Sequence, residues 1–183
     1  MERLFVPTIN RYLTRKELKH YIFSKFGKAV REKNIIKEKR KIIFVKLNQN
    51  TSILSEEYIK NIFMKSRKDV EFIQASCLEN LNFNENFIYI LPISQEIIIL
   101  LIIFCFLDNP LKEILRKENI VLISKYVSEI EASILLNLKE KYDVFCDNNN
   151  KFLLSKFLEI FKRNPKYVKS AGRLLKFLNL FFC

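Results

Sequence analysis

Histidine and cysteine are the side chains most able to carry chemistry beyond simple charge, and this chain of 183 residues holds few of them: His20, and Cys77, Cys105, Cys146 and Cys183. No two cysteines lie within four residues of each other, so no zinc ribbon, finger or C-x-x-C redox motif can be written. The cysteines read as reduced thiols. Cys105, between Phe104 and Phe106, and Cys146, after Val144 and Phe145, sit in apolar runs where cysteine behaves as a small hydrophobe. His20 stands among Lys16, Lys19 and Tyr21, remote in sequence from every thiol, and any Ser-His-Asp or Cys-His set would have to use it. An H-E-x-x-H metal site needs two histidines and is excluded. These observations assign no catalytic residue, no metal and no cofactor.

Carboxylates occur in pairs, and each pair has a local structural use. Glu56 and Glu57 fall in the first turn of an expected helix, Glu129 and Glu131 in an expected capping box, and Asp143 and Asp147 on either side of an expected strand. Only Gly27 and Gly172 are glycines, and the loop after the first expected core strand, residues 48–55, has none. Backbone therefore cannot approach a pyrophosphate closely there, which argues against a dinucleotide or P-loop nucleotide site. The amides of Thr51 and Ser52 could still meet a smaller anion. In a doubly wound sheet the ligand crevice lies at the carboxyl ends of the strands, which brings Asn50, Ser52, Ser76, Ser94, Ser124 and Asp147 together as a candidate edge.

Charge is the remaining unusual feature. The formal net charge is +12, distributed as +10 over residues 1–46, −5 over 47–150 and +7 over 151–183. At the N-terminal end Arg11, Arg15, Lys16, Lys19, Lys25, Lys28, Arg31, Lys33, Lys37, Lys39, Arg40 and Lys41 are interleaved with Tyr12, Tyr21, Phe23 and Phe26, a mixture suited to phosphate contact with base stacking. Near the other end Lys169, Arg173 and Lys176 follow helical spacing in a basic amphipathic stretch. The leading expectation is a non-catalytic cytoplasmic protein that binds nucleic acid or another polyanion through these ends. Two alternatives stand beside it: an enzyme or sensor for a small anionic ligand at the carboxyl edge of the sheet, and a peripheral membrane or assembly protein that uses the last helix, with homo-oligomerisation through it.

The elements that must position these groups follow from periodicity. Strands are expected at 41–47, 69–74, 87–91, 119–124 and 143–146. Helices are expected from Thr14, as a capping box that stops or bends at Gly27, then over 28–36, from Ser55, over 94–107, from Asn109-Pro110, from Ser128, and over 152–161. Strand, helix and strand within about 28 residues near the fourth and fifth strands make a right-handed βαβ unit. The fold class is α/β: a mostly parallel sheet of about five strands with helices on both faces, Rossmann-like in winding but without a glycine-rich loop. Residues 1–40 form a basic helical N-terminal segment, 41–150 the α/β core, and 151–183 C-terminal helices packing on it. The apolar stretch 87–107 is divided by Pro92 and carries Glu96, so it reads as a buried strand and helix rather than an integral membrane span. The N-terminus has no apolar signal region, which gives a cytoplasmic expectation.

Overall fold

The computed structural model describes residues 2–66, 69–106, 109–165 and 167. A hairpin opens it: β1 (Arg3–Val6) pairs antiparallel with β2 (Arg11–Thr14). Asn10 takes the left-handed backbone conformation at the turn, with φ of 54°. Thr14 then caps α1 (Arg15–Glu32) in a reciprocal box with Glu17. The helix does not stop at Gly27. It runs on to Glu32, and Gly27 serves a close approach instead, since a Cβ there would meet the Tyr58 hydroxyl at 2.7 Å. The separate helix expected over 28–36 is thus mostly the continuation of α1, followed by a 3-10 turn at Ile35–Lys37.

The core is a wholly parallel four-stranded sheet in the order β4-β3-β5-β6, made of β3 (Lys41–Lys46), β4 (Val70–Gln74), β5 (Phe87–Leu91) and β6 (Ile120–Leu122). The central strands β3 and β5 are apolar on both faces, as a sheet covered by helices on both sides requires, while the edge strand β4 exposes Glu71 and Gln74. Ile42, Phe44, Ile88, Ile90 and Val121 enter one buried cluster with Leu18, Ile22, Phe26, Ile59 and Leu135. These come from α1, from α2 (Asn50–Ser66) and from α5 (Glu129–Leu136). The alternate residues Ile43, Val45, Tyr89, Leu91 and Ile120 enter a second cluster with Ile97, Leu101, Phe104 and Leu154. These come from α3 (Gln95–Phe106) and α6 (Asn148–Arg163), and the short α4 (Glu113–Arg116) adds Ile114. The period of two along each strand accounts for the whole division.

Two expectations about elements are corrected. The fifth strand at 143–146 reduces to a single antiparallel bridge between Asn48 and Asp143, because this segment crosses the end of β3 instead of running beside β6. The helix expected from Ser55 begins five residues earlier, at Asn50, and the Ser55 hydroxyl bonds the Thr51 carbonyl at 2.7 Å within it. Among the described residues no helix is long and apolar enough to cross a membrane.

Candidate functional site

Parallel strands send every following loop to the same edge. The chain passes from β3 to β4 on one side and from β5 to β6 on the other, so its direction of winding reverses between β3 and β5. In open α/β sheets that reversal opens the usual ligand crevice. Here it is closed by the chain itself. Thr51 Oγ1 donates to the Pro92 carbonyl at 3.0 Å, and the Ser94 amide donates to Gln49 Oε1 at 3.2 Å, so both rims are tied together. At the N-terminus of α2, where an external anion would bind, stands the carboxylate of Glu129. It accepts from the Asn50 amide at 2.7 Å, the Thr51 amide at 3.0 Å and the Lys141 amide at 3.1 Å. Burial pushes the Glu129 carboxyl up to about 7 against the pull of those three amides, with the charge of Glu96 adding to the rise.

Glu96 lies beside it, fully buried at the start of α3. It accepts from the Ser128 hydroxyl and from the Glu129 amide at 3.1 Å, and burial raises its pKa. Glu131 completes the row, accepting from Thr8 Oγ1 at 2.8 Å and pairing with Lys25 at 2.8 Å. Asn50, Ser52, Ser94 and Ser124, expected at a ligand edge, do come to this edge but are buried. They belong to the same buried, hydrogen-bonded polar seam.

The same edge is built differently beyond β4. Cys77 follows that strand and Cys146 follows the segment that crosses β3, and the two form a disulfide across a sequence separation of 69 with a Cα–Cα distance of 5.6 Å. The expectation of separate, reduced, hydrophobic cysteines is therefore corrected for this pair: Cys77 is buried, while Cys146 is exposed. Ser76 Oγ approaches Cys77 Sγ at 3.9 Å, and Asn80 Nδ2 approaches Cys146 Sγ at 4.0 Å and Ser76 Oγ at 3.1 Å. Glu79 is held by the Cys146 amide at 3.1 Å, the Asp147 amide at 3.4 Å and Asn150 Nδ2 at 3.0 Å. A cavity of about 740 Å³ opens alongside, with Leu78, Leu81, Phe83, Leu111, Ile114 and Leu153 in its apolar wall and Glu79, Asn109, Asp147 and Asn150 among its polar groups, which also include Glu113, Lys117 and Asn149. Ser76 and Asp147, expected at the edge, border this region. The pair was missed because its spacing matches no motif. Its signal was topological: both cysteines follow segments that end at the same side of a parallel sheet.

Five of the twelve N-terminal cations pair with carboxylates. Lys19 pairs with Glu57 at 2.6 Å, Lys25 with Glu131, Lys28 with Glu32 at 3.8 Å, Arg40 with Glu38 at 2.9 Å and Lys41 with Glu71 at 2.6 Å. The Arg40 side chain, bonded to Glu38, holds the Glu38 carboxyl down at about 2. Arg15 donates to the Leu135 carbonyl at 3.1 Å. Arg11, Lys16, Arg31, Lys33, Lys37 and Lys39 are exposed, but they extend from before α1 to beyond it, and that helix of 18 residues is about 27 Å long. Lys169, Arg173 and Lys176 lie outside the described residues.

No family model and no curated protein matches the sequence. Among solved structures the fold is similar to that of the U34-tRNA thiolase NcsA from Methanococcus maripaludis, a protein with a 4Fe–4S cluster. The TM-score is 0.53 at 10% identity, over 92% of this chain and 82% of that one. The likeness supports the α/β fold. The expectation of a non-catalytic polyanion binder is overturned by this likeness, since the similar structure is that of a tRNA thiolase, and five of the twelve N-terminal cations are paired with carboxylates of the chain itself.

Proposed function

We propose that the chain is an enzyme-like, sulfur-handling protein of the RNA-modification type, acting in the cytoplasm, with the Cys77–Cys146 disulfide as its reactive group. The observation that carries this reading is the convergence of two distant cysteines at the carboxyl edge of the sheet, one buried and one exposed, beside a cavity. The likeness to a tRNA thiolase supports the substrate class. In a reducing compartment a disulfide is usually transient and catalytic, which fits a pair with one exposed sulfur whose neighbours Glu79 and Asp147 line a cavity.

The chemistry follows from the asymmetry of the pair. Hydrosulfide attacks the exposed Cys146 sulfur, a new S–S bond forms, and the Cys77–Cys146 bond breaks with its electron pair leaving on Cys77. The products are a persulfide on Cys146 and a thiolate on Cys77, and the disulfide itself is the oxidant. Ser76 Oγ, already next to Cys77 Sγ, donates to the departing thiolate. The outer persulfide sulfur then attacks a base carbon of an RNA that already carries a leaving group, displacing that group, and the Cys77 thiolate attacks the Cys146 sulfur, which leaves the outer sulfur on the RNA as a thiocarbonyl and re-forms the disulfide.

Sodium sulfide added to the oxidised chain, followed by alkylation and peptide mass spectrometry, is expected to place one additional sulfur on Cys146. Cys77→Ser leaves no disulfide to attack, and its Cys146 is expected to gain none. Absence of the persulfide in the wild type, or equal labelling in C77S, overturns the reading. Bulk tRNA that fails to bind the persulfidated chain overturns its RNA half.

A further inference from the structure

We infer that the same corner, once reduced, is a mononuclear site for a soft divalent cation of the zinc type, with Cys77 Sγ, Cys146 Sγ and a Glu79 carboxylate oxygen as its ligands. The inference uses the cysteine pair of the preceding section but requires neither sulfide chemistry nor RNA. One ligand atom from each of the three residues lies within 4.8 Å of the other two. A tetrahedral site with metal–sulfur bonds of about 2.3 Å and metal–oxygen bonds of about 2.1 Å keeps its ligand atoms roughly 3.5 Å apart, so small side-chain movements complete it.

The carboxylate is already oriented. Glu79 Oε2 accepts from the Cys146 amide, and Oε1 accepts from the Asp147 amide and from Asn150 Nδ2. Asn150 is in turn fixed by Asn109 Nδ2, which donates to its Oδ1 at 2.9 Å. Such outer bonds hold a metal-binding group in place before the ion arrives. Two thiolates select a soft or borderline ion over magnesium or calcium. Three protein ligands leave a fourth coordination position for water or another ligand. The set does not fit a 4Fe–4S cluster, which is held by cysteine thiolates: among the described residues only two cysteines meet here, and the third donor is a carboxylate.

Formation of the site has a balanced redox step. An external thiol or phosphine supplies two electrons and, with solvent, two protons, converting the disulfide into two thiols. Cation binding then releases both thiol protons to water. Disulfide and metal site are alternative states of one pair of sulfurs.

Cobalt(II) titrated into the reduced full-length chain is the test. One equivalent is expected to give the visible bands of tetrahedral cobalt together with a thiolate-to-cobalt charge-transfer band in the near ultraviolet, and zinc is expected to displace it. The oxidised chain, with the same fold but no free pair, is expected to show neither until it is reduced. The double variant C77S/C146S should lose the charge-transfer band, and Glu79→Gln should weaken binding at least about tenfold. No band in the reduced chain, a band that survives C77S/C146S, or unchanged affinity in E79Q overturns the assignment. Because the sulfide experiment starts from the oxidised chain and this one from the reduced chain, either can fail without the other.

Discussion

Around the reversal point between β3 and β5 the polar side chains face one another, whereas beyond β4 they border a cavity. At the first place a carboxylate of the chain, Glu129, occupies the amides at the start of α2 that would otherwise meet an anion. At the second, Glu79 is also held by amides, but its neighbours are an exposed sulfur and open volume. Both corners use the same physics, in which helix or loop N–H groups donate to a carboxylate. They differ in whether the surrounding elements have closed over it. The crevice favoured by the topology is thus a hydrogen-bonded seam here, and the cysteine pair lies one strand away.

The comparison breaks most directly at Glu129. Glu129→Ala removes the acceptor from two buried amides and a part-buried third, and is expected to cost about 3–5 kcal/mol of stability, read from the urea midpoint. Inorganic phosphate should raise the midpoint of this variant and leave the wild type unmoved, since only the variant has vacant amides. A loss below about 1 kcal/mol would mean that the seam does not depend on the carboxylate. Cys146→Ser should behave in the opposite manner, with its effect set by redox conditions. Closing a loop of this length stabilises by roughly 4 kcal/mol, toward the upper end for disulfides, so oxidised wild type and variant should differ by that order. Under reductant their midpoints should coincide, and a difference that persists there would make Cys146 a packing residue.

Much of the scaffold could be read from residue patterns, and what escaped did so for definable reasons. The runs Ile42–Val45 and Phe87–Leu91 are apolar at every position, which marks strands covered on both faces. Thr14 with Glu17 and Ser128 with Glu131 are capping boxes in sequence and in structure. The first hairpin escaped because its strands are four residues each and are joined across Pro7, too short for alternation to register. Glu129 and Glu131 were both legible as first-turn acids of α5. Only Glu131 closes that helix's own box, because the Glu129 side chain reaches across to α2, a contact that depends on how two helices pack. The cysteine pair depends in the same way on tertiary convergence.

The pH dependence of stability sharpens the view of the closed seam. The carboxyl of Glu129 is raised in the fold to about 7 from an ordinary 4.5, so the fold favours its protonated form. The stability this contributes is complete below about pH 4.5 and is lost as pH rises through about 7, by an amount on the order of 3 kcal/mol. Glu96, raised by the same burial, acts in the same direction. Glu38, held down at about 2, acts in the opposite sense, losing its contribution only as pH falls through its low folded value. Denaturant midpoints followed from pH 4 to 8 should therefore decline across the neutral limb, and Glu129→Gln should flatten that decline while leaving the acid limb in place. An equally steep decline in E129Q would assign the effect elsewhere.

The smallest effect belongs to the basic surface. Lys19 and Glu57 are 2.6 Å apart, but both side chains remain nearly half exposed, at 45% and 44%. Water and salt screen such a pair, and ordering two long side chains offsets most of its attraction. Lys19→Ala should therefore cost less than about 1 kcal/mol at low salt, and the difference from wild type should shrink further as salt is added. Lys25 makes the contrast, since its partner Glu131 is only 3% exposed and also accepts from Thr8. If Lys19→Ala cost about 2 kcal/mol or more and the loss persisted in high salt, the N-terminal cations would be part of the fold's buried electrostatics, and the distinction between sealed and open charge would no longer separate the two sides of this molecule.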